Sequence, residues 1–298
     1  MEFAFNTRQW EHDMPMKQPL CLAFTDFWEG FECNPTGKSH FDNVFYKILS
    51  ERFDITISDS PEFLIYSVFG SNHKRYTCPK VFYTGENIRP NFRECQYAMT
   101  FDYLNDDRHL RFPLSAVTLY EWGILDGFEK HIDCEQVKRE KTQFCNFLFS
   151  NPNARERNTL FQKLSKYKRV DSGGRAFNNL GYYVDDKMKF LSQYKFTIAF
   201  ENSEYPGYTT EKLVHPKLVN SIPIYWGNPD VHKDWNTKAF INAYEFSNDK
   251  RLIEYIMEID QNDDLYFALL KQPHFTTPKS YHLDRHALIS FFERITQP

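Results

Sequence analysis

Lys195-Phe196-Thr197-Ile198-Ala199-Phe200-Glu201-Asn202-Ser203 runs through a short loop into Tyr208-Thr209-Thr210-Glu211-Lys212-Leu213, and then on to Ile222-Pro223-Ile224-Tyr225-Trp226-Gly227. The outer segments are short apolar runs bounded by turn residues, as buried strands are, and the middle one opens a helix behind Thr209 or Thr210 as cap. Strand, loop, helix and strand in that order is the repeating unit of a parallel α/β sheet. Ligands of such sheets lie beyond the carboxyl ends of the strands, where a helix N-terminus favours anions. Lys212, in the first helical turn, adds a full positive charge for a phosphate. Glu211 has the wrong sign for a phosphate but accepts hydrogen bonds from sugar or ribose hydroxyls, and Tyr208 offers a ring face and a phenol. On spacing alone the same residues also describe an ordinary capped helix with a solvated Glu–Lys pair. Pro216 falls about two turns into this helix, where it removes a hydrogen bond and crowds the preceding turn, so a kink or a later start is expected.

The alternation extends to both sides. Upstream, strands are expected at 19–24, 53–57, 63–69, 80–84 and 95–101 with a helix at 41–52, whereas 103–148 carries mixed turn signals. Ser150-Asn151-Pro152-Asn153 is a turn and cap signal, followed by a helix at 154–167 with Leu160, Phe161 and Leu164 on one face. Further helices are expected at 185–194, 250–259, 263–271 and 283–295. A chain of 298 residues suits two domains. The expected division is 1–148, then 149–278, with a last helix in 279–298 that follows Pro278 and crosses back onto the first domain.

With a net charge of -4, the chain has no broad electrostatic attraction for nucleic acid or an anionic membrane, so an anionic ligand must be held by a local cluster of Lys and Arg. Cys21, Cys33, Cys78, Cys95, Cys134 and Cys145 form no CxxC pair, and Met1-Glu2-Phe3 leads into charged residues without an apolar signal region. Free thiols in the cytoplasm are therefore expected, with peripheral association at the inner membrane at most. Metal-dependent sugar transferases commonly use an Asp-x-Asp pair, which is missing here, and His282 and His286 on the last expected helix have no third ligand. Gly37-Lys38-Ser39 lacks the first glycine of a phosphate loop, because position 32 is Glu.

Phe200-Glu201-Asn202-Ser203, Tyr208 and Thr210-Glu211-Lys212, closed by Ile222-Pro223-Ile224-Tyr225-Trp226-Gly227, resemble the signature of the α1,3/4-fucosyltransferases of glycosyltransferase family 10. Val81-Phe82-Tyr83-Thr84-Gly85-Glu86-Asn87, with Asn91-Phe92 and Tyr97-Ala98, is similar to the acceptor-domain motif of the bacterial members. Phe101-Asp102, Arg108-Leu110-Arg111-Pro113-Leu114, Ser150-Asn151-Asn153-Ala154-Arg157-Asn158 and Asn179-Leu180-Gly181-Tyr182 continue the likeness in order from about 41 to 260. The C-terminus shows none of the heptad repeats or the basic amphipathic tail of some bacterial relatives.

The resemblance implies an α/β fold of GT-B type, two Rossmann-like domains facing across a cleft, with acceptor on the first and GDP-fucose on the second. It implies an inverting α1,3-fucosyltransferase, with α1,4 transfer as a possible extension. Its donor would be GDP-β-L-fucose and its acceptor the GlcNAc hydroxyl of N-acetyllactosamine-type β-galactosides, with neither cofactor nor metal. Single displacement needs a base for the acceptor proton and positive charge for the leaving diphosphate. Glu86, at the end of a strand with Gly85 allowing a sharp turn, matches the position of the proposed base. Arg157, directly before Asn158 near a helix start, matches the donor-binding arginine, and Lys212 is its expected companion on the diphosphate. Asn202, Tyr208, Thr210 and Glu211 fall at donor-contact positions. A GT-B transferase using another donor such as GDP-mannose, or a lectin-like module without turnover, are the competing readings.

Overall fold

The computed structural model describes residues 17–29, 31, 43–123, 132–275 and 285–297. Cys33, Gly37-Lys38-Ser39 and His282 lie outside them. Two all-parallel sheets organise the chain. The first contains β1 (Gln18–Thr25), β2 (Phe53–Ile57), β3 (Phe63–Tyr66), β4 (Lys80–Tyr83), β5 (Tyr97–Thr100) and β6 (His109–Arg111), in the order β2-β1-β3-β4-β5-β6. Leu20, Leu22, Ala23 and Phe24 of β1 are all buried, the near-continuous apolar run of a strand covered on both faces. Helix α1 (Val44–Leu49) is capped by Asn43, whose Oδ1 accepts from Phe45 N at 2.9 Å and Tyr46 N at 3.2 Å. The strand expected at 63–69 ends at Tyr66, because the next residues turn onto the loop after β1, with Phe69 N donating to Asp26 O at 2.8 Å.

The second sheet contains β7 (Gln143–Phe147), β8 (Val170–Ser172), β9 (Tyr194–Phe200), β10 (Ile222–Trp226) and β11 (Ile241–Asn242), in the order β11-β10-β9-β7-β8. Its helices include α4 (Arg155–Leu164), α5 (Lys187–Leu191), α6 (Glu211–Leu218), α7 (Asp249–Gln261) and α8 (Asp263–Leu270). The expected division at 148 falls too late, since β7 pairs with β8 and β9 and so belongs wholly to the second sheet. Asn146 hides that strand in the sequence. It is a fully buried amide in an otherwise apolar run, donating to Thr197 Oγ1 at 2.8 Å and to Phe196 O at 3.2 Å. The unreadable stretch before it holds β6, α2 (Leu114–Glu121) and α3 (Cys134–Glu140) as well.

Helix α6 begins at Glu211 with Thr210 as N-cap, and Pro216 sits inside it, so the later start expected from Pro216 does not occur. The helix ends two residues beyond the proline, with Val219 N and Ser221 N both donating to Pro216 O.

The core of the first sheet continues across the seam. Phe45, Tyr83 and Phe112 share one buried cluster with Leu213, Val214 and Tyr225 of the second half and with Leu288 and Phe292 of α9 (Arg285–Ile295). As expected, this last helix packs on the first half, where Arg52 Nε meets Glu293 Oε1 at 2.6 Å and Tyr97 meets Phe291 edge-on. Among the described residues no helix is long and apolar enough to cross a membrane, and Cys21, Cys78, Cys95, Cys134 and Cys145 are free thiols.

Candidate active site

Strand order reverses between β7 and β9 in the second sheet, and the crevice beyond that point is where open α/β sheets bind ligands. The loop after β7 leads to Arg157 and the loop after β9 carries Glu201, Asn202 and Tyr208. Arg157 is only 1% exposed. Its guanidinium lies 3.7 Å from the Phe149 ring centroid and donates to Asn202 Oδ1 at 3.1 Å, Phe200 O at 3.4 Å and Asn151 O at 3.0 Å. Burial lowers its pKa to about 10, against the pull of Glu201, so it is still a cation near neutrality. Its Nε is buried without a partner. The resemblance implies a diphosphate contact for Arg157; in the structure its guanidinium lies against the exposed Asn202 and holds that side chain.

Thr210 is buried and joins α6 to the end of β9, its backbone N donating to Glu201 Oε1 at 2.8 Å and its hydroxyl to Glu201 Oε2 at 2.7 Å. Lys212 Nζ lies 3.3 Å from Glu201 Oε2, 3.3 Å from Glu211 Oε1 and 3.1 Å from Thr210 Oγ1. Burial alone would lower the lysine pKa, but Glu201 and Glu211 outweigh it and bring it to about 12. Burial would likewise raise Glu211, but Lys212, Lys187 and His215 outweigh it and hold the carboxyl at about 2. An anionic group at the first residue of a helix also suits the helix dipole.

Two groups here have no assigned role in the sequence reading. Glu201 is fully buried, and that burial pushes its carboxyl up. A carboxylate closing the apolar run Ile198-Ala199-Phe200 was the available signal. Lys187, at the start of α5, lines a small cavity with Lys212 and Phe149, and burial lowers its pKa. No motif marked it, because its approach to α6 is a product of the fold. Arg157, Lys212 and Lys187 thus gather around Phe149 against the carboxylates of Glu201 and Glu211.

Glu86 follows β4 in the first sheet and is half-buried. Its loop winds on Thr84, whose Oγ1 accepts from Glu86 N at 2.9 Å and donates to Glu86 O at 3.2 Å. The sharp turn expected at Gly85 is made without a positive φ. A Cβ there would come within 2.9 Å of Leu114 Cδ2, so the glycine permits close packing on α2. The Glu86 loop meets the loop after β9 directly, with Asn87 Nδ2 donating to Ser203 Oγ at 2.7 Å. Tyr208, 2% exposed, packs on Phe101 at 5.0 Å between centroids, and its pKa is raised by burial and then by Glu201 and Glu86, so the phenol lies within electrostatic reach of both carboxylates.

Two parallel α/β sheets whose carboxyl-end loops meet are the GT-B arrangement, with cations on one side and a carboxylate on the other; the fold alone does not fix the activity. Residues 22–120 match the α-(1,3)-fucosyltransferase FucT N-terminal domain and residues 138–290 the glycosyltransferase family 10 (fucosyltransferase) C-terminal domain. The chain belongs to glycosyltransferase family 10. It is 35% identical to the α-(1,3)-fucosyltransferase FucT of Helicobacter pylori, over 94% of this chain and 66% of that one. It is 38% identical to GDP-fucose protein O-fucosyltransferase 3 of Xenopus laevis, over 55% of this chain and 38% of that one. The chain therefore spans about two thirds or less of these relatives. A crystal structure of an α1,3-fucosyltransferase superposes with a TM-score of 0.79 at 32% identity, covering 94% of this chain and 90% of that one. Another, with GDP-fucose, gives 0.75 at 30% identity, covering 95% and 92%.

Proposed function

We propose that this chain transfers L-fucose from GDP-β-L-fucose to the GlcNAc hydroxyl of an N-acetyllactosamine-type glycan, giving an α1,3 linkage of Lewis type with inversion. The observation that carries the reading is the apposition of the Glu86 loop to the donor loop through Asn87 and Ser203, opposite the Arg157, Lys212 and Lys187 cluster. The acceptor oxygen attacks the fucose anomeric carbon, the bond from that carbon to the β-phosphate oxygen breaks, and the acceptor proton passes to Glu86. GDP leaves with its added charge near Lys212 and Lys187, while Arg157 contributes its charge from below Asn202. Glu211 and Asn202 receive hydrogen bonds from sugar or ribose hydroxyls, and Tyr208 and Thr210 shape the pocket. Positive charge supplied by side chains supports transfer without a metal ion. We also place the enzyme in the cytoplasm, where its free thiols persist.

The acceptor reading is supported by the first sheet's own switch point, between β1 and β3. Trp28 and Phe69 follow these strands and meet edge-on at 6.0 Å, with Phe69 50% exposed, on the same edge as Glu86. Exposed rings at a crevice suit the apolar face of a pyranose. One relative's name prints a protein acceptor and the other's prints none, while both print fucosyl transfer, so the relatives support the donor and the acceptor reading rests on the crevice.

The test is incubation with GDP-fucose and N-acetyllactosamine in EDTA, with NMR of the product. An α1,3-fucosylated product with inverted anomeric configuration is expected. Exclusive transfer from GDP-mannose, or binding of GDP without transfer to any β-galactoside, would contradict the reading.

A further inference from the structure

Next to Glu86 lies a contact that the reaction scheme does not use. Arg89 Nη1 donates to the buried Asp102 Oδ1 at 2.7 Å, and its Nη2 donates to Asn87 Oδ1. The guanidinium carbon sits 4.3 Å from the Phe101 ring centroid and 3.6 Å from that of Tyr205. Asp102, Asn87 and Phe101 belong to the first half; Tyr205 belongs to the donor loop after β9. Asn87 in turn donates to Ser203 of that same loop. The donor loop is pressed against the first half here, because Gly207 packs so close that a Cβ would lie 2.3 Å from Phe101 O. One planar cation thus binds the segment carrying the base, the floor of the first half and the loop carrying Asn202 and Tyr208.

The geometry points to Arg89 as a positioning residue that, through Asn87 and Tyr205, fixes the Glu86 carboxylate relative to the donor. This inference rests on Glu86 being the base. A flat guanidinium suits the task, since it can stack on a ring and donate in its own plane to Asp102 and Asn87 at once. Arg89 touches neither reacting atom, so its effect falls on the geometry of attack rather than on donor affinity. A displacement of about 1 Å in such a geometry costs about 10²-fold in rate.

Steady-state kinetics of Arg89→Ala, Tyr205→Ala, Tyr205→Phe and the double alanine variant, with Glu86→Gln and GDP titrations alongside, test it. Tyr205 is an exposed loop residue, so its truncation is compatible with folding, and thermal midpoints check this for every variant. Arg89→Ala and Tyr205→Ala are expected to lower kcat about 10- to 10²-fold while the Kd for GDP stays within about threefold. Tyr205→Phe, which keeps the ring, restores kcat, and the double variant is no slower than the worse single one. Loss of GDP affinity with kcat retained, or additive losses in the double variant, would overturn the inference. Wild-type kcat in both alanine variants beside an inactive Glu86→Gln would overturn it alone. Full turnover in Glu86→Gln would overturn it together with the base assignment.

Discussion

At the scale of single residues, Arg157 is a buried cation whose proposed effect on the donor is relayed through Asn202. Every contact it makes is a directed hydrogen bond or a ring face, and Asn202 depends on it. Lysine keeps the charge but not the planar fork, so Arg157→Lys is expected to weaken GDP binding at least about tenfold, measured by calorimetry. Histidines give the second residue-scale prediction. Burial lowers His109 to about 4, despite Asp102 and Asp106, and burial followed by Lys187 lowers His215 to about 4. In the unfolded chain both titrate near 6.5. At these two groups the unfolded state therefore binds more protons between these values, and their contribution to stability falls as pH drops from about 6.5 towards 4. Glu211, held at about 2, loses its contribution only below about 4.5, so in the upper part of that window the histidines are opposed by Glu201 and Glu121, whose carboxyls burial raises. His109→Gln should therefore raise the urea midpoint at pH 5 relative to that at pH 7; an unchanged difference would count against the His109 shift. Glu86, Tyr208 and Lys212 stood out in the sequence because motifs carried them. Glu201 and Lys187 did not, because their chemistry comes from burial and from an approach between α5 and α6 that no local spacing records.

At the scale of elements, the loop after β9 is held by backbone conformation. Gly207 has φ +84 and approaches Phe101 O too closely for any side chain. Gly207→Ala should destabilise the fold by about 1–3 kcal/mol and lower activity as the loop lifts from the first half. Chemical denaturation and transfer assays on the same sample would check both. The limits of sequence reading show at this scale too. β2 and β10 appear at their expected residues, since β2 alternates apolar and polar residues, β10 is an apolar run, and both are closed by turns. β7 was hidden by the buried amide of Asn146, whose Nδ2 finds partners on β9 while its Oδ1 finds none, and β8 and β11, with three and two residues, are too short to show a period. Pro216 forfeits one helical bond and crowds the Lys212 carbonyl, yet α6 still begins at Glu211, where the Thr210 cap is tied to Glu201 and Leu213 and Val214 are buried.

For the whole molecule, one hydrophobic cluster crosses the seam between the halves, while the second sheet also keeps a core of its own. Arg111 forms a buried two-pronged pair with Asp234 across the seam, at 3.1 and 2.6 Å, while its Nε donates to Phe101 O at 3.1 Å. Ser115 N at the start of α2 donates to Thr209 O at 3.2 Å. Removing one partner of a buried pair strands the other charge, so Arg111→Ala should cost about 3–5 kcal/mol. Because the hydrophobic cluster runs through the seam, unfolding should remain a single transition that shifts as a whole. Two separated transitions would contradict that continuity. Two parallel sheets were legible from alternating strands and helices, yet the division between them was not, since it turns on which partners β7 takes.

The measurement that bears most directly on the assignment compares wild type with Glu86→Gln, following both fucosyl transfer to N-acetyllactosamine and GDP binding by calorimetry. The predicted result is a fall in turnover of about 10²–10⁴-fold with GDP affinity nearly unchanged. Undiminished turnover in the variant would contradict the placement of the base at the end of β4, and with it the division of labour between the two sheets.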